Sequence, residues 1–210
     1  MRSGLIVTGL AASLLVGAST RAEPPKEPEP TPFAAVVDLV RFLVGNGKLV
    51  QVSAHGKTKA VIEKQDPIYD LPMFPVRALL LKLPPYRMPY TMTVTTYLGG
   101  QGRTKHILIP SAGDLFDAEL HPTRTIPATA FLSKDAGLMN RSRVEATIPF
   151  DDAQRTETLL LLYVNTRTAR SAVPIVWTGP AGIEDIVPRL LIRAERSDNG
   201  KVELEVNLKK

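Results

Sequence analysis

Residues 90–98 read YTMTVTTYL, and their strict alternation decides the fold. Tyr90, Met92, Val94, Thr96 and Leu98 fall on one side, with Thr91, Thr93, Thr95 and Tyr97 on the other. A period of two belongs to a β-strand with one buried face. Residues 143–150 repeat it, placing Val144, Ala146, Ile148 and Phe150 together. The stretch TLLLLYV at 158–164 is apolar throughout, as expected of a central strand covered on both faces. Shorter candidate strands lie at 49–53, 76–83, 105–109 and 172–177. Near the end, the alternating runs 189–196 and 201–208 flank Ser197-Asp198-Asn199-Gly200, and Asn-Gly signals a hairpin turn. Most prolines fall between these runs. Many short strands with turn signals between them predict an all-β fold. The expectation is an antiparallel β-sandwich over 48–210, with one short N-terminal helix and a C-terminal β-hairpin.

The helix is read from FAAVVDLVRFLV at 33–44. Asp38 and Arg41 stand three apart, which puts both on one helical face and leaves the rest apolar. The segment 33–47 then ends at Gly45-Asn46-Gly47. The valine content makes a strand the rival reading. Ahead of it, EPPKEPEPTP at 23–32 carries five prolines in ten residues, the composition of an extended tether. Residues 1–22 have the layout of a signal peptide: Arg2, an uncharged apolar run at 4–16, then small residues. About thirteen apolar residues fall short of the roughly 20 needed for a spanning helix. Cleavage after Ala18 or after Ala22 fits equally. No later segment is long and apolar enough to span, so the mature chain is expected to be exported and to lack a transmembrane span.

Composition sets outer bounds. The chain has 210 residues, 44% hydrophobic and 22% charged, with no cysteine, which excludes a disulfide scaffold and thiol chemistry. Without residues 1–22, 24 basic residues face 21 acidic ones. The middle third is the more basic part, with RTK at 103–105 and RSR at 141–143 as its densest points. These charges are scattered and carry no aromatic ladder for stacking bases, so nucleic acid is not an expected partner.

The sequence offers little that looks like an active site. His55, His106 and His121 lie in unrelated segments, outside metal-ligand spacing of one another. Gly99-Gly100-Gln101-Gly102 reads as a loop between strands. Asp114, Asp117 and Glu119 form a loose acidic patch, read as a solvated turn. Asp151 and Asp152 read as residues of a strand-end turn. No enzyme activity, metal or cofactor is expected.

Three stretches carry a resemblance. LPPYRMPYTMTVTTY at 83–97 is similar to the Leu-Pro, turn, Pro-Tyr and Thr/Val strand of the maltose operon periplasmic protein family. ILIPSAGDLFDAELHPTR at 107–124 and VEATIPFDDAQRTETLLLLYVNT at 144–166 resemble its continuation in the same order. The likeness spans about residues 48–170, and the segment from Trp177 to Lys210 departs from the family. The resemblance implies a periplasmic protein associated with carbohydrate uptake and without established catalysis.

Two functions are therefore expected as alternatives. One is a non-enzymatic periplasmic accessory or binding module, linked to carbohydrate uptake or envelope transport. Its partner would be an oligosaccharide or an outer-membrane or envelope protein. Tyr69, Tyr86, Tyr97 and Trp177 are its candidate contacts, because such rings offer a wide apolar face and a polar tip. Tyr86, set between Pro84-Pro85 and Pro89, is the most loop-like. The other is a structural subunit of a secretion or motility assembly, docking through residues 23–44 by Phe33, Val37, Val40 and Phe42.

Overall fold

The computed structural model describes residues 31–32, 34–99, 105–134, 143–168, 172–177 and 190–208. The expected signal peptide, most of the tether and the loop residues 100–102 lie outside them.

In chain order the elements begin with β1 (Thr31–Pro32), α1 (Val36–Gly45), β2 (Val50–Gln51), β3 (Gly56–Ile62) and β4 (Tyr69–Asp70). Next come β5 (Pro75–Lys82), β6 (Tyr90–Tyr97), β7 (His106–Leu108), β8 (Ala112–Phe116) and β9 (Pro122–Pro127). The last are β10 (Leu132–Lys134), β11 (Arg143–Phe150), β12 (Leu159–Asn165), β13 (Ala172–Trp177), β14 (Leu190–Ser197) and β15 (Gly200–Leu208). A seven-stranded sheet runs β1-β4-β5-β12-β8-β9, with β2 also paired to β5. A five-stranded sheet runs β10-β11-β6-β15-β3, and a three-stranded one β13-β14-β7. Among the described residues the fold is thus β-rich and sandwich-like with one α-helix. Most pairs are antiparallel, as expected, but three short ones are parallel: β1/β4, β2/β5 and β7/β14.

Alternation explains how the layers stack. Met92 and Val94 of β6, Val144, Ala146 and Ile148 of β11, and Val202, Leu204 and Val206 of β15 face one core. Leu79 and Leu81 of β5 and Leu160, Leu162 and Val164 of β12 meet them from the other sheet. The remaining β12 residues, Leu159, Leu161 and Tyr163, turn the opposite way. There they meet Leu39, Val40 and Leu43 of α1. A strand apolar at every position is what a sheet between two layers requires. Each fully buried Leu contributes roughly 1.5–3 kcal/mol.

The helix is shorter than read, starting at Val36, and its end follows the expected signal. Asn46 Nδ2 donates to the Phe42 carbonyl at 2.7 Å, and Gly47 takes φ +66°, where a side chain would be strained. Arg41 Nη1 lies 3.3 Å from Asp38 Oδ1 on the solvent face. Thr31 and Pro32, placed in the tether by the sequence, instead lie parallel against Tyr69 and Asp70.

One expectation is corrected. The two C-terminal strands do not form a hairpin: β14 pairs with β13 and β7, whereas β15 enters the five-stranded sheet between β6 and β3. A tight Asn-Gly turn needs positive φ at both central residues. Among the described residues Leu120 alone of the non-glycines has positive φ, so Asn199 does not supply it. The chain crosses here from one sheet to another. The buried face of β15 then matches that of β6, with Leu204 opposite Val94 and Val206 opposite Met92.

Candidate functional site

One end of the sandwich gathers the loop before β6, the start of β9 and the turn after β11. Tyr90 opens β6 after Pro89, and the antiparallel register sets it opposite Phe150 at the end of β11. Their rings stack, 4.6 Å between centroids and 12° apart in plane. Arg124 of β9 holds its guanidinium 5.1 Å from the Phe150 centroid, within cation–π range. The same guanidinium donates to the buried Glu157: Nε to Oε1 at 2.9 Å and Nη2 to Oε2 at 2.8 Å. Thr123 Oγ1 donates to Glu157 Oε1 at 2.9 Å, and Arg124 Nη2 also reaches the Pro149 carbonyl at 2.7 Å. Residues from 83–97, 107–124 and 144–166 therefore meet at this end.

Tyr86 lies on this base, half-buried, its ring 6.4 Å from that of Tyr90. Its hydroxyl donates to Asp152 Oδ1 at 2.8 Å. Desolvation, then the Asp152 hydrogen bond, push its pKa up to about 12, so it remains a neutral donor at physiological pH. Asp151 caps the short turn that presents Asp152, accepting from the Ala153 N–H at 3.1 Å. Arg87 and Met88, beside Tyr86 in the chain, are exposed.

The other expected contacts scatter. Tyr97 stands on the outer face of the five-stranded sheet, donating to Glu203 Oε1 at 3.0 Å; Lys57 Nζ donates to the same oxygen at 2.7 Å. Tyr86 precedes β6, Tyr97 ends it, and seven strand steps separate Tyr97 from Tyr90, or roughly 23 Å. Tyr69 is corrected: it is 3% exposed beneath the helix and offers no ring face to a ligand. Trp177 closes β13 opposite Leu190, with its side chain outside the described residues.

Of the docking residues, Val40 is also corrected, because it is fully buried against the chain's own sheet. Val37 is half-buried, and Phe33 lies outside the described residues. Phe42 is 38% exposed and meets the Tyr69 ring edge-on at 6.2 Å.

Two groupings differ from the sequence reading. At the β8–β9 turn, Asp117, Glu119 and His121 bring potential metal-ligand atoms within 4.8 Å of one another. Asp114 is not among them, being bonded to Thr125 Oγ1 at 2.6 Å. Asp117 Oδ1 accepts from the backbone N–H of Glu119 and His121 at 3.0 and 2.8 Å, and the His121 contact chiefly lowers its pKa. This carboxylate closes the turn. The alternate spacing 117, 119, 121 across a tight turn was the available signal. The second grouping is the buried Arg77 with Asp198, whose Nε–Oδ2 distance is 3.1 Å. A lone arginine in an apolar run gave no sign of burial.

Among the described residues no helix is long and apolar enough to cross a membrane. No family model matches the chain, and no curated protein or solved structure is significantly similar to it.

Proposed function

We propose that this chain is a non-enzymatic binding or accessory protein of the cell envelope, exported to the periplasm, whose ligand surface is the Tyr86 end of the sandwich. The observation that carries this reading is the half-exposed Tyr86 ring on a stacked aromatic base, its hydroxyl fixed by Asp152. An aromatic face beside carboxylates suits a sugar, whose C–H face stacks while its hydroxyls donate. The signal-peptide pattern and the family resemblance support the location and the carbohydrate link. Arg124 and Glu157 engage each other as an ion pair, while Asp151 caps its turn and Asp152 accepts from Tyr86, which fits a contact surface better than a catalytic centre.

Calorimetric titration with maltodextrins tests the proposal. Binding heat in the wild type that is lost in Tyr86→Ala is the expected result, and no heat with any oligosaccharide would overturn the sugar reading.

The second reading, an assembly subunit docking through residues 23–44, draws on the exposure of Phe42 and Val44. Light scattering of the intact chain and of a variant carrying Phe42→Ser and Val44→Ser, both on the exposed side of the helix, tests self-assembly. A monomer in both forms removes it and leaves only hetero-partners.

A further inference from the structure

The turn from β8 to β9 brings a mixed set of nitrogen and oxygen donors together. Asp117, Glu119 and His121 alternate along it, and one ligand atom of each lies within 4.8 Å of the other two. Among the described residues no other three such side chains converge in this way. Backbone bonds set the arrangement. Asp117 Oδ1 accepts from the N–H groups of Glu119 and His121, which fixes the carboxylate and leaves Oδ2 facing His121 Nδ1 at 3.2 Å. The Asp117 N–H donates to the His121 carbonyl at 3.1 Å and closes the loop from its other side.

Two donors on one tetrahedral zinc ion, with bonds of roughly 2.0–2.1 Å, stand about 3.3 Å apart. The Asp117 and His121 atoms are therefore already spaced as two corners of such a site. Glu119 is exposed, so rotation of its side chain can close the remaining gap, at most about 1.5 Å.

Charge points the same way. Elsewhere acidic side chains hold arginine or lysine: Glu157 with Arg124, Glu203 with Lys57, Glu145 with Arg143. Among the described residues Asp117 pairs with His121, and neither it nor Glu119 pairs with a lysine or arginine. Two carboxylates thus share a turn with an imidazole and no fixed cation. Calcium takes six to eight oxygen donors, whereas an imidazole beside carboxylates suits zinc.

We propose that Asp117, Glu119 and His121 form a zinc-binding site. Asp117 Oδ2, a Glu119 carboxylate oxygen and His121 Nδ1 are its ligands, and its fourth position faces solvent and takes water. This site is independent of the Tyr86 reading.

Zinc and cobalt(II) are the probes, titrated into the chain purified without a histidine tag and stripped with EDTA. The expected result is one zinc per chain by calorimetry and, with cobalt, the visible d–d bands of a four-coordinate ion. His121→Ala and Glu119→Gln should each weaken zinc binding at least about tenfold, because removing a group that only orients a ligand already costs about 10–100-fold. Both side chains are exposed and neither supplies the backbone bonds of the turn, so unfolding midpoints without metal should match the wild type. His106→Ala, which removes the imidazole beside Glu195, should bind zinc as the wild type does. Unchanged affinity in either ligand variant, or an equal loss in His106→Ala, would mean an adventitious ion only and would overturn the proposal. Absence of binding by the wild type would do the same. Zinc should also shift the imidazole NMR resonances of His121 in the wild type, a readout that needs no variant, and unmoved resonances would sink the site.

Discussion

Arg124 holds Glu157 with two nitrogens, at 2.8 and 2.9 Å, while the same guanidinium covers the Phe150 ring. A single side chain thereby ties β9, the end of β11 and the turn before β12 to one another. Glu157 is 5% exposed, so its charge depends on that partner. Arg124→Met should cost about 3–5 kcal/mol, the range for leaving a buried charge such as Glu157 without its partner. Arg124→Met combined with Glu157→Leu should recover most of the loss, because apolar replacement of both partners removes the stranded charge. Urea denaturation of the three proteins measures this.

The helix belongs to the fold. Leu39 is fully buried against the seven-stranded sheet, and Leu39→Ala should destabilise by about 2–5 kcal/mol. Phe42, more than a third exposed, should cost no more than about 1 kcal/mol when changed to Ala. Equal losses at both positions in thermal unfolding would contradict the burial described here.

At Gly113 a Cβ would come 3.0 Å from Leu162 Cδ2 and 3.2 Å from Leu160 Cδ1, both in the packed core. Gly113→Ala should therefore cost about 1–3 kcal/mol through overpacking. Denaturant midpoints at unchanged slope would register it, and a stabilised variant would refute it.

Stability should fall at both ends of the pH range. Burial raises the pKa of Tyr90 and Tyr163, and that of Tyr86 reaches about 12. An unfolded phenol titrates near 10. Above pH 10 the unfolded chain releases protons that the native one retains, so stability drops. Tyr90→Phe should shift the alkaline midpoint upward in a tyrosinate absorbance titration. On the acid side, the Lys57 hydrogen bond lowers the Glu203 pKa, and His121 lowers that of Asp117. Their contribution is present above the ordinary values of 4.5 and 3.8 and is lost as pH falls below them. Glu203→Gln should flatten the acid limb.

Strand existence was legible wherever alternation was strict, because one residue slip in β6 or β11 would turn Met92 or Ile148 to water. The continuous run in β12 announced a covered sheet but not which layer lay on each side. Local chemistry misled at Asn199-Gly200: a good turn sequence yielded to the match between the apolar faces of β15 and β6, which lie over 100 residues apart in the chain. At the Tyr86 end, the Pro-Tyr loop was visible. The Arg124–Glu157 pair was not, because its members come from separate segments with no shared spacing.

The insertion of β15 between β6 and β3 has a temporal consequence. Two ribbons, one near residue 60 and one near residue 94, stay unjoined until residues 200–208 enter between them. The sheet must therefore close late on a distant segment, and a chain cut before residue 200 would leave a slot through the middle of it.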